Sequence, residues 1–221
     1  PWVSGYDLAV WVAAYGPKAL AGAGESGDGL IIQLADPGLV RCFSEQAIAA
    51  GKAKGRKMGN YQVMSAAPVW VGDLPKGRTQ TRWFPAMVGN HVADIVEKYG
   101  KSDPNIPQSL TNYIEGRKGY DYKHHADKDA DHLGFIKDDI VDSFAILGSP
   151  KDHIAKLEEL EAAGVTQFNI YLMCGEEERI VAEYAEHIIP HFQKAKRKKA
   201  AAPKKKAAPK TKPAAKKAAG K

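Results

Sequence analysis

The residues of this chain best suited to chemistry form a turn that could hold an anion. The turn is Tyr15-Gly16-Pro17-Lys18, and it follows the apolar run Leu8 to Ala14. Glycine lets the backbone approach a ligand closely, and proline fits the first position of a helix. A helix N-terminus offers unpaired N–H groups that favour a negative charge, here with the Lys18 cation beside them. The turn therefore predicts a phosphate site, although an ordinary strand-to-helix turn would use the same Gly-Pro pair.

The segments around this turn predict an α/β protein. Four apolar or β-branched segments are predicted strands: Ala9 to Ala14, Leu30 to Leu34, Tyr61 to Val71 and Gln167 to Met173. Helical patterns separate or follow them, over Pro17 to Glu25, Pro37 to Gly51, Thr81 to Tyr99, Ser149 to Gly164 and Glu176 to Phe192. Strands that alternate with helices predict a parallel sheet with both faces covered.

Charge divides the chain into an acidic body and a basic tail. Of the 32 Lys and Arg residues, 13 lie in residues 194–221, which contain no acid, so residues 1–193 carry a formal charge of −7. The tail repeats Lys, Ala and Pro, cannot build a core, and is predicted to be disordered. It could associate weakly with nucleic acid without reading sequence, or serve only as a solubilising extension.

The remaining bulk features favour a single cytoplasmic domain. The 221 residues are 44% hydrophobic, which suffices for one sizeable core over residues 1–193. Cys42 and Cys174 lack metal-ligand or redox spacing and are predicted to be buried or half-buried free thiols. No apolar run approaches the roughly 18 residues that would cross a bilayer. The chain begins with Pro1 shortly before a predicted buried strand, which we interpret as a truncation.

A long polar segment, residues 105–137, interrupts the α/β rhythm and is predicted to be a functional insertion. His124 and His125 follow its aromatic stretch and could donate a proton or orient a substrate, or could simply face solvent. Three alternating aspartates resemble the opening of a calcium loop, but the glycine that such a loop requires is replaced by His132. We therefore interpret the aspartates as solvated charge and predict no metal site.

Several segments together resemble the luciferase-like monooxygenase superfamily, whose members use FMN or the deazaflavin coenzyme F420. The matching segments are VWVAAYGPKALAGAGESGDGLI, QLADPGLV, YQVMSAAPVWV and FAILGSPKDHIAKLEELEAAGVTQFNIYLM. The variants AAYGPKAL, IIQLADP, IPQSLTNYIEGRKGYDYKHH and NIYLM are most similar to the deazaflavin-dependent oxidoreductase branch. The resemblance covers most of the chain before the tail, in the same order.

The resemblance implies a (β/α)8 TIM-barrel fold, of which this chain supplies the C-terminal half. Such barrels typically need about 250 residues. The first strand here matches the fifth strand of the family, so the chain corresponds to strands five to eight, with the insertion and the disordered tail added. Half a barrel exposes two strand edges, so we expect the isolated chain to self-associate or to be poorly soluble.

The resemblance also implies where a cofactor would bind. Family members place the phosphate-bearing arm of the cofactor at the turn matched here by Tyr15, Gly16, Pro17, Lys18 and Ala19. At the catalytic face, Gln33 and Asp36 end the next strand. Gln33 is predicted to meet the substrate or to serve the fold, whereas Asp36 is predicted mainly to cap a helix. No catalytic residue is predicted.

The function implied is hydride transfer between F420, or FMN, and a small organic molecule. Barrels of this family often pair, so a homodimer is a further expectation. The alternative is a non-enzymatic binding protein, in which the half barrel is a scaffold and the tail of residues 194–221 contacts nucleic acid.

Overall fold

The computed structural model describes residues 5–89 and 136–193 of the chain, which fold as helices around a parallel sheet. The strands are β1 (Trp11–Ala13), β2 (Gly29–Ile32), β3 (Gln62–Val71), β4 (Ile146–Gly148) and β5 (Gln167–Tyr171). The helices are α1 (Pro17–Ser26), α2 (Pro37–Ala53), α3 (Leu74–Thr81), α4 (Asp138–Phe144), α5 (Pro150–Ala162) and α6 (Glu177–Glu183), which continues through the π-helical turn Tyr184–Ile188. Residues 83–89 are also helical.

The first three strands of the chain are neighbours in the sheet in the order of the sequence. β1 pairs with β2 and β2 with β3, in each case parallel. Met64 and Ser65 of β3 pair with both β2 and β5, so these two strands lie on opposite sides of β3. The short strand β4 pairs only with the last residues of β3, Val69 to Val71. In the described part of the chain, β1, β4 and β5 therefore each have a strand neighbour on one side only.

Most of the longer helices begin with a proline and a capping side chain. Asp36 accepts a hydrogen bond from the Leu39 N–H at the start of α2, at 2.9 Å. Asp73 caps α3 in the same way, and Ser149 begins α5 with a reciprocal capping box that involves Asp152. Each cap satisfies backbone donors that have no partner within the helix. The helix α1 is different, because its cap residue is Gly16 and no side chain caps it.

Two glycines bring α1 and α2 into direct backbone contact. A Cβ atom on Gly24 would lie 1.8 Å from the carbonyl oxygen of Ala47, and one on Gly51 would lie 2.7 Å from the carbonyl oxygen of Gly24. No larger residue fits either position without moving the helices apart. This pair of glycines therefore sets the distance between the two helices.

A buried histidine joins three elements of the fold. His153 of α5 is fully buried, with Nδ1 at 2.9 Å from the Tyr184 hydroxyl and Nε2 at 3.0 Å from the Trp70 carbonyl oxygen. A carbonyl can only accept, so Nε2 carries the proton and the Tyr184 hydroxyl donates to Nδ1. The imidazole is therefore neutral and held in one tautomer.

The predicted α/β fold is confirmed, and the differences lie in short elements. β1 begins at Trp11 rather than Ala9, and β5 ends at Tyr171 rather than Met173, whose side chain is exposed. The predicted helix Thr81 to Tyr99 is instead the end of α3 followed by helical residues 83–89, and its later part lies outside the described residues. The elements α3, α4 and β4 were not predicted.

Candidate functional site

The predicted anion turn lies at the carboxyl edge of the sheet, between β1 and α1. Gly16 has an extended backbone (φ −84°, ψ 154°), and Pro17 opens the helix. The N–H groups of Lys18 and Ala19 point from the first turn of α1, and the described residues supply no acceptor for them. The Lys18 side chain is exposed, and no carboxylate of the described residues lies within ion-pair distance of it. Backbone donors, a helix dipole and one cation suit a phosphate.

Beside this turn, Gln33 connects two tyrosines from opposite edges of the sheet. The Tyr15 hydroxyl accepts from the Gln33 backbone N–H at 2.9 Å and donates to Gln33 Oε1 at 3.3 Å. Gln33 Nε2 donates to the Tyr171 hydroxyl at 2.7 Å. Tyr15 follows β1, Gln33 follows β2 and Tyr171 ends β5, so all three lie at the carboxyl ends of their strands. In barrel enzymes this is the face that carries the active site.

Aromatic packing fixes both tyrosine rings of this network. Tyr15 meets Phe43 edge to face at 6.0 Å, and Tyr171 meets Phe84 in the same way at 5.7 Å. Burial raises the pKa of Tyr15 well above its usual value, so its hydroxyl keeps its proton at neutral pH and remains a donor. The network is therefore a rigid set of neutral hydrogen-bonding groups.

Sequence reasoning missed Tyr171 and a second group of residues at the same edge. Lys76 Nζ and Arg179 Cζ each lie 5.0 Å from the centroid of the Trp70 ring. The Glu176 carboxylate binds both cations, which hold its pKa below the usual range. Arg179 also donates to the Val71 carbonyl oxygen at 2.8 Å. The cluster fastens the segment after β5 to the end of β3, and its cations already have an acidic partner.

Asp36 has the structural role that the sequence favoured. Its carboxylate is buried, caps α2 through the Leu39 N–H and accepts a hydrogen bond from the Ser143 hydroxyl. Both carboxylate oxygens are thus engaged in the fold. Gln33, in contrast, is half-buried and belongs to the tyrosine network.

Other residues singled out in the sequence lie outside the described residues. These are His124 and His125, the three alternating aspartates of the insertion, and the basic tail of residues 194–221. Within residues 5–89 and 136–193, no group of acidic, histidine or cysteine side chains could hold a metal ion. Cys42 and Cys174 are buried and form no disulfide, as predicted, and burial raises the pKa of Cys174 to about 11. No helix in these ranges is long and apolar enough to span a bilayer.

Comparison with proteins of known sequence finds relatives that share one enzyme name. The chain is 25% identical over 195 residues to the 5,10-methylenetetrahydromethanopterin reductase of Methanopyrus kandleri, covering 87% of this chain and 53% of that protein. It is 30% identical over 168 residues to the enzyme of the same name from Archaeoglobus fulgidus, covering 73% of this chain and 47% of that protein. The chain therefore spans about half the length of the curated relatives it matches.

Comparison with solved structures supports the same fold. The coenzyme F420-dependent tetrahydromethanopterin reductase of Methanopyrus kandleri superposes with a TM-score of 0.60 at 23% identity, over 86% of this chain and 52% of that one. An F420-dependent secondary alcohol dehydrogenase superposes with a TM-score of 0.58 at 15% identity, over 84% of this chain and 49% of that one. These likenesses confirm a parallel α/β fold of the barrel type, shared over about half of each barrel enzyme.

A family model shows which protein family the chain belongs to. The model described as luciferase-like monooxygenase matches residues 4–167, which include the turn at Gly16, the tyrosine network as far as Gln33, and the sheet up to the start of β5. This chain belongs to the luciferase-like monooxygenase family.

Proposed function

We propose that this chain is part of an oxidoreductase that uses coenzyme F420, with FMN as the alternative, and that it holds the phosphate-bearing arm of the cofactor. The proposal rests on one observation, the uncapped N-terminus of α1 at the carboxyl edge of the sheet. Gly16 leaves room for a phosphate, the Lys18 and Ala19 N–H groups can donate to it, and the Lys18 ammonium balances its charge. The residues therefore fit the group.

In such an enzyme the bound cofactor supplies hydride exchange with an organic substrate. The residues of this chain bind and orient: the turn holds the phosphate, and the Tyr15, Gln33 and Tyr171 network supplies neutral polar contacts beside it. The relatives are named for a methylene-bearing pterin, which makes a molecule of that class the first substrate to test.

The cofactor proposal is tested by titrating the chain with F420 and with FMN and following the fluorescence of each cofactor. Lys18→Ala is expected to weaken binding about tenfold, the loss of one charge-assisted contact to a phosphate. Lys57→Ala is the matched control, because Lys57 is also exposed but precedes β3 at the opposite edge. Its affinity should equal that of the unsubstituted chain.

The same titration is made on a version joined to the N-terminal half of the Methanopyrus kandleri relative, because that enzyme is about twice as long as the matched region. Absence of F420 and FMN binding in both versions would contradict the proposal. Equal affinities for Lys18→Ala and Lys57→Ala would place the phosphate elsewhere.

We also propose that the tail of residues 194–221 associates with nucleic acid through its 13 basic residues. Gel shifts with duplex DNA at several salt concentrations, with and without the tail, test this association. Deletion of the tail should abolish binding and its salt dependence; an unchanged salt slope would refute the idea.

A further inference from the structure

We propose that the Tyr171 hydroxyl is the hydrogen-bond donor that this site presents to its ligand, and that it binds a ring carbonyl of the cofactor. The inference rests on the proposed function and names one contact within it. The sequence around Tyr171 does not indicate this role, because the residue lies within a predicted strand. The role follows from counting the protons in the network that surrounds Gln33.

The network has two donors without an internal acceptor, the Tyr171 hydroxyl and the second N–H of the Gln33 side-chain amide. The Tyr15 oxygen accepts from the Gln33 backbone N–H, so the Tyr15 proton is directed to Gln33 Oε1. Gln33 Nε2 donates to the Tyr171 oxygen, which is therefore an acceptor in that contact. The proton of Tyr171 has no acceptor among the described residues. Each hydroxyl supplies one donor, so this proton is available to a ligand.

The opposite orientation of the Gln33 amide would be less favourable. If Oε1 and Nε2 exchanged places, Gln33 Nε2 would donate to Tyr15, whose oxygen already accepts from the backbone. The Tyr15 proton would then lack an acceptor in a position buried against Phe43. A largely enclosed donor without a partner is unfavourable, because it has lost its water without gaining an acceptor. The favoured orientation therefore leaves the proton of Tyr171, a half-buried side chain, available to a ligand.

The chemistry of this donor selects the ligand group. A phenol is neutral at physiological pH and donates one hydrogen bond, which suits a carbonyl oxygen better than a phosphate. Tyr171 is linked to Tyr15 through the single side chain of Gln33, and Tyr15 is adjacent to the turn at Gly16. If the phosphate of a cofactor binds at that turn, the ring system of the same cofactor must lie nearby. F420 and FMN both carry carbonyl groups on their rings.

Gln33 and Tyr15 are positioning residues in this scheme. Gln33, oriented by Tyr15, donates to the Tyr171 oxygen and so leaves the Tyr171 proton available to the ligand. Phe84 holds the ring itself by edge-to-face contact. This rigidity means that the donor is aimed before the ligand arrives, which lowers the entropy cost of the contact.

The test compares two tyrosine-to-phenylalanine variants by titration with F420 and FMN. Tyr171→Phe is expected to lower affinity about fivefold, the loss of one neutral hydrogen bond. Tyr61→Phe is the matched control, because the Tyr61 hydroxyl is buried without a hydrogen-bond partner in the described residues. It should bind as the unsubstituted chain does. Thermal unfolding of each variant verifies that both fold.

Vibrational difference spectra of the bound cofactor supply a second readout. Loss of a donor to a ring carbonyl should raise its stretching frequency in Tyr171→Phe and leave it unchanged in Tyr61→Phe. An affinity loss without this frequency change would show a structural role for Tyr171 and overturn the inference. Equal affinities for the two variants would overturn it as well. If the unsubstituted chain bound neither F420 nor FMN, the proposed function would fail together with it.

Discussion

His153 shows what a single buried side chain contributes at the residue scale. Its ring is fully enclosed and both nitrogens are engaged, by Tyr184 and by the Trp70 carbonyl. Burial lowers the pKa of His153 from 6.5 to about 4. Protonation would place a charge in the core and would also remove the acceptor that Tyr184 uses. Folding therefore favours the neutral ring.

The pH dependence of stability follows from this lowered pKa. Between pH 6.5 and pH 4 the unfolded chain binds the proton at His153 and the folded chain does not, so stability falls as pH falls through this window. We expect a loss of about 3 kcal/mol at pH 4 relative to pH 7. Urea unfolding between pH 4 and 7 measures it.

The matched control for this prediction is His187, which is exposed. His153→Gln should remove this part of the pH dependence, while His187→Gln should retain it. Parallel pH profiles for the unsubstituted chain and His153→Gln would contradict the assignment.

At the residue scale, the sequence predicted the roles of residues that depend on neighbours close by in the chain. The turn at Gly16 and the cap at Asp36 are set by adjacent residues, and both lie where they were expected. Tyr171 could not be predicted, because its partner Gln33 lies 138 positions away. A tyrosine at the end of a strand has no local signal that distinguishes a network member from a packing residue.

At the scale of elements, the contact of α1 with α2 depends on Gly24. Alanine at this position would place its Cβ atom 1.8 Å from the Ala47 carbonyl oxygen. We expect Gly24→Ala to lower the free energy of unfolding by at least about 2 kcal/mol, because two backbones must separate. Denaturant unfolding measures this loss.

Gly22 provides a control in the same helix, since a Cβ atom there meets nothing within 4 Å. Gly22→Ala should stabilise the fold by about 0.5–1 kcal/mol, because alanine is the better helix former. If both variants had similar stability, the close packing at Gly24 would not be what holds the helices together.

The elements that sequence reasoning missed are held by distant partners. Arg78 of α3 contacts both Asp138 and Asp142 of α4, and Arg82 contacts Asp138. These contacts join segments about 60 positions apart in the chain, and neither helix exceeds eight residues. Helices this short are marginal on their own, so tertiary contact decides whether they form. The long, periodic α2 was predicted almost to its bounds.

At the scale of the whole molecule, several strands of the sheet lack a second neighbour in the described residues, among them β1 and β5. Tyr6, Leu8 and Val10, before β1, are 72%, 60% and 59% exposed. Beside β5 lies a cavity of about 760 Å³ whose lining includes Leu160, Phe168 and Ile188. Unpaired edges with apolar neighbours favour association with another chain.

We therefore expect the 221-residue chain to self-associate. Sedimentation velocity should show a mass that rises with protein concentration. Leu8→Lys should reduce this association, because a lysine beside an edge strand opposes pairing. Lysine at the exposed Ser26, in α1, is the control and should leave association unchanged. A monomer at every concentration, with one sharp unfolding transition, would contradict the prediction.

The direct contact between α1 and α2 also bears on how a ligand would arrive. The turn at Gly16 begins a helix that packs along α2 and whose far end is in backbone contact with Ala47, so the helix cannot detach as a whole without separating the two backbones. Hydrogen exchange at the amides of α1 beyond its first turn should therefore be slow. Because the turn already has the conformation that binds an anion, binding requires no loop closure. The association rate of the anion should then depend on diffusion and on ionic strength, through the Lys18 charge, rather than on the motions of the protein.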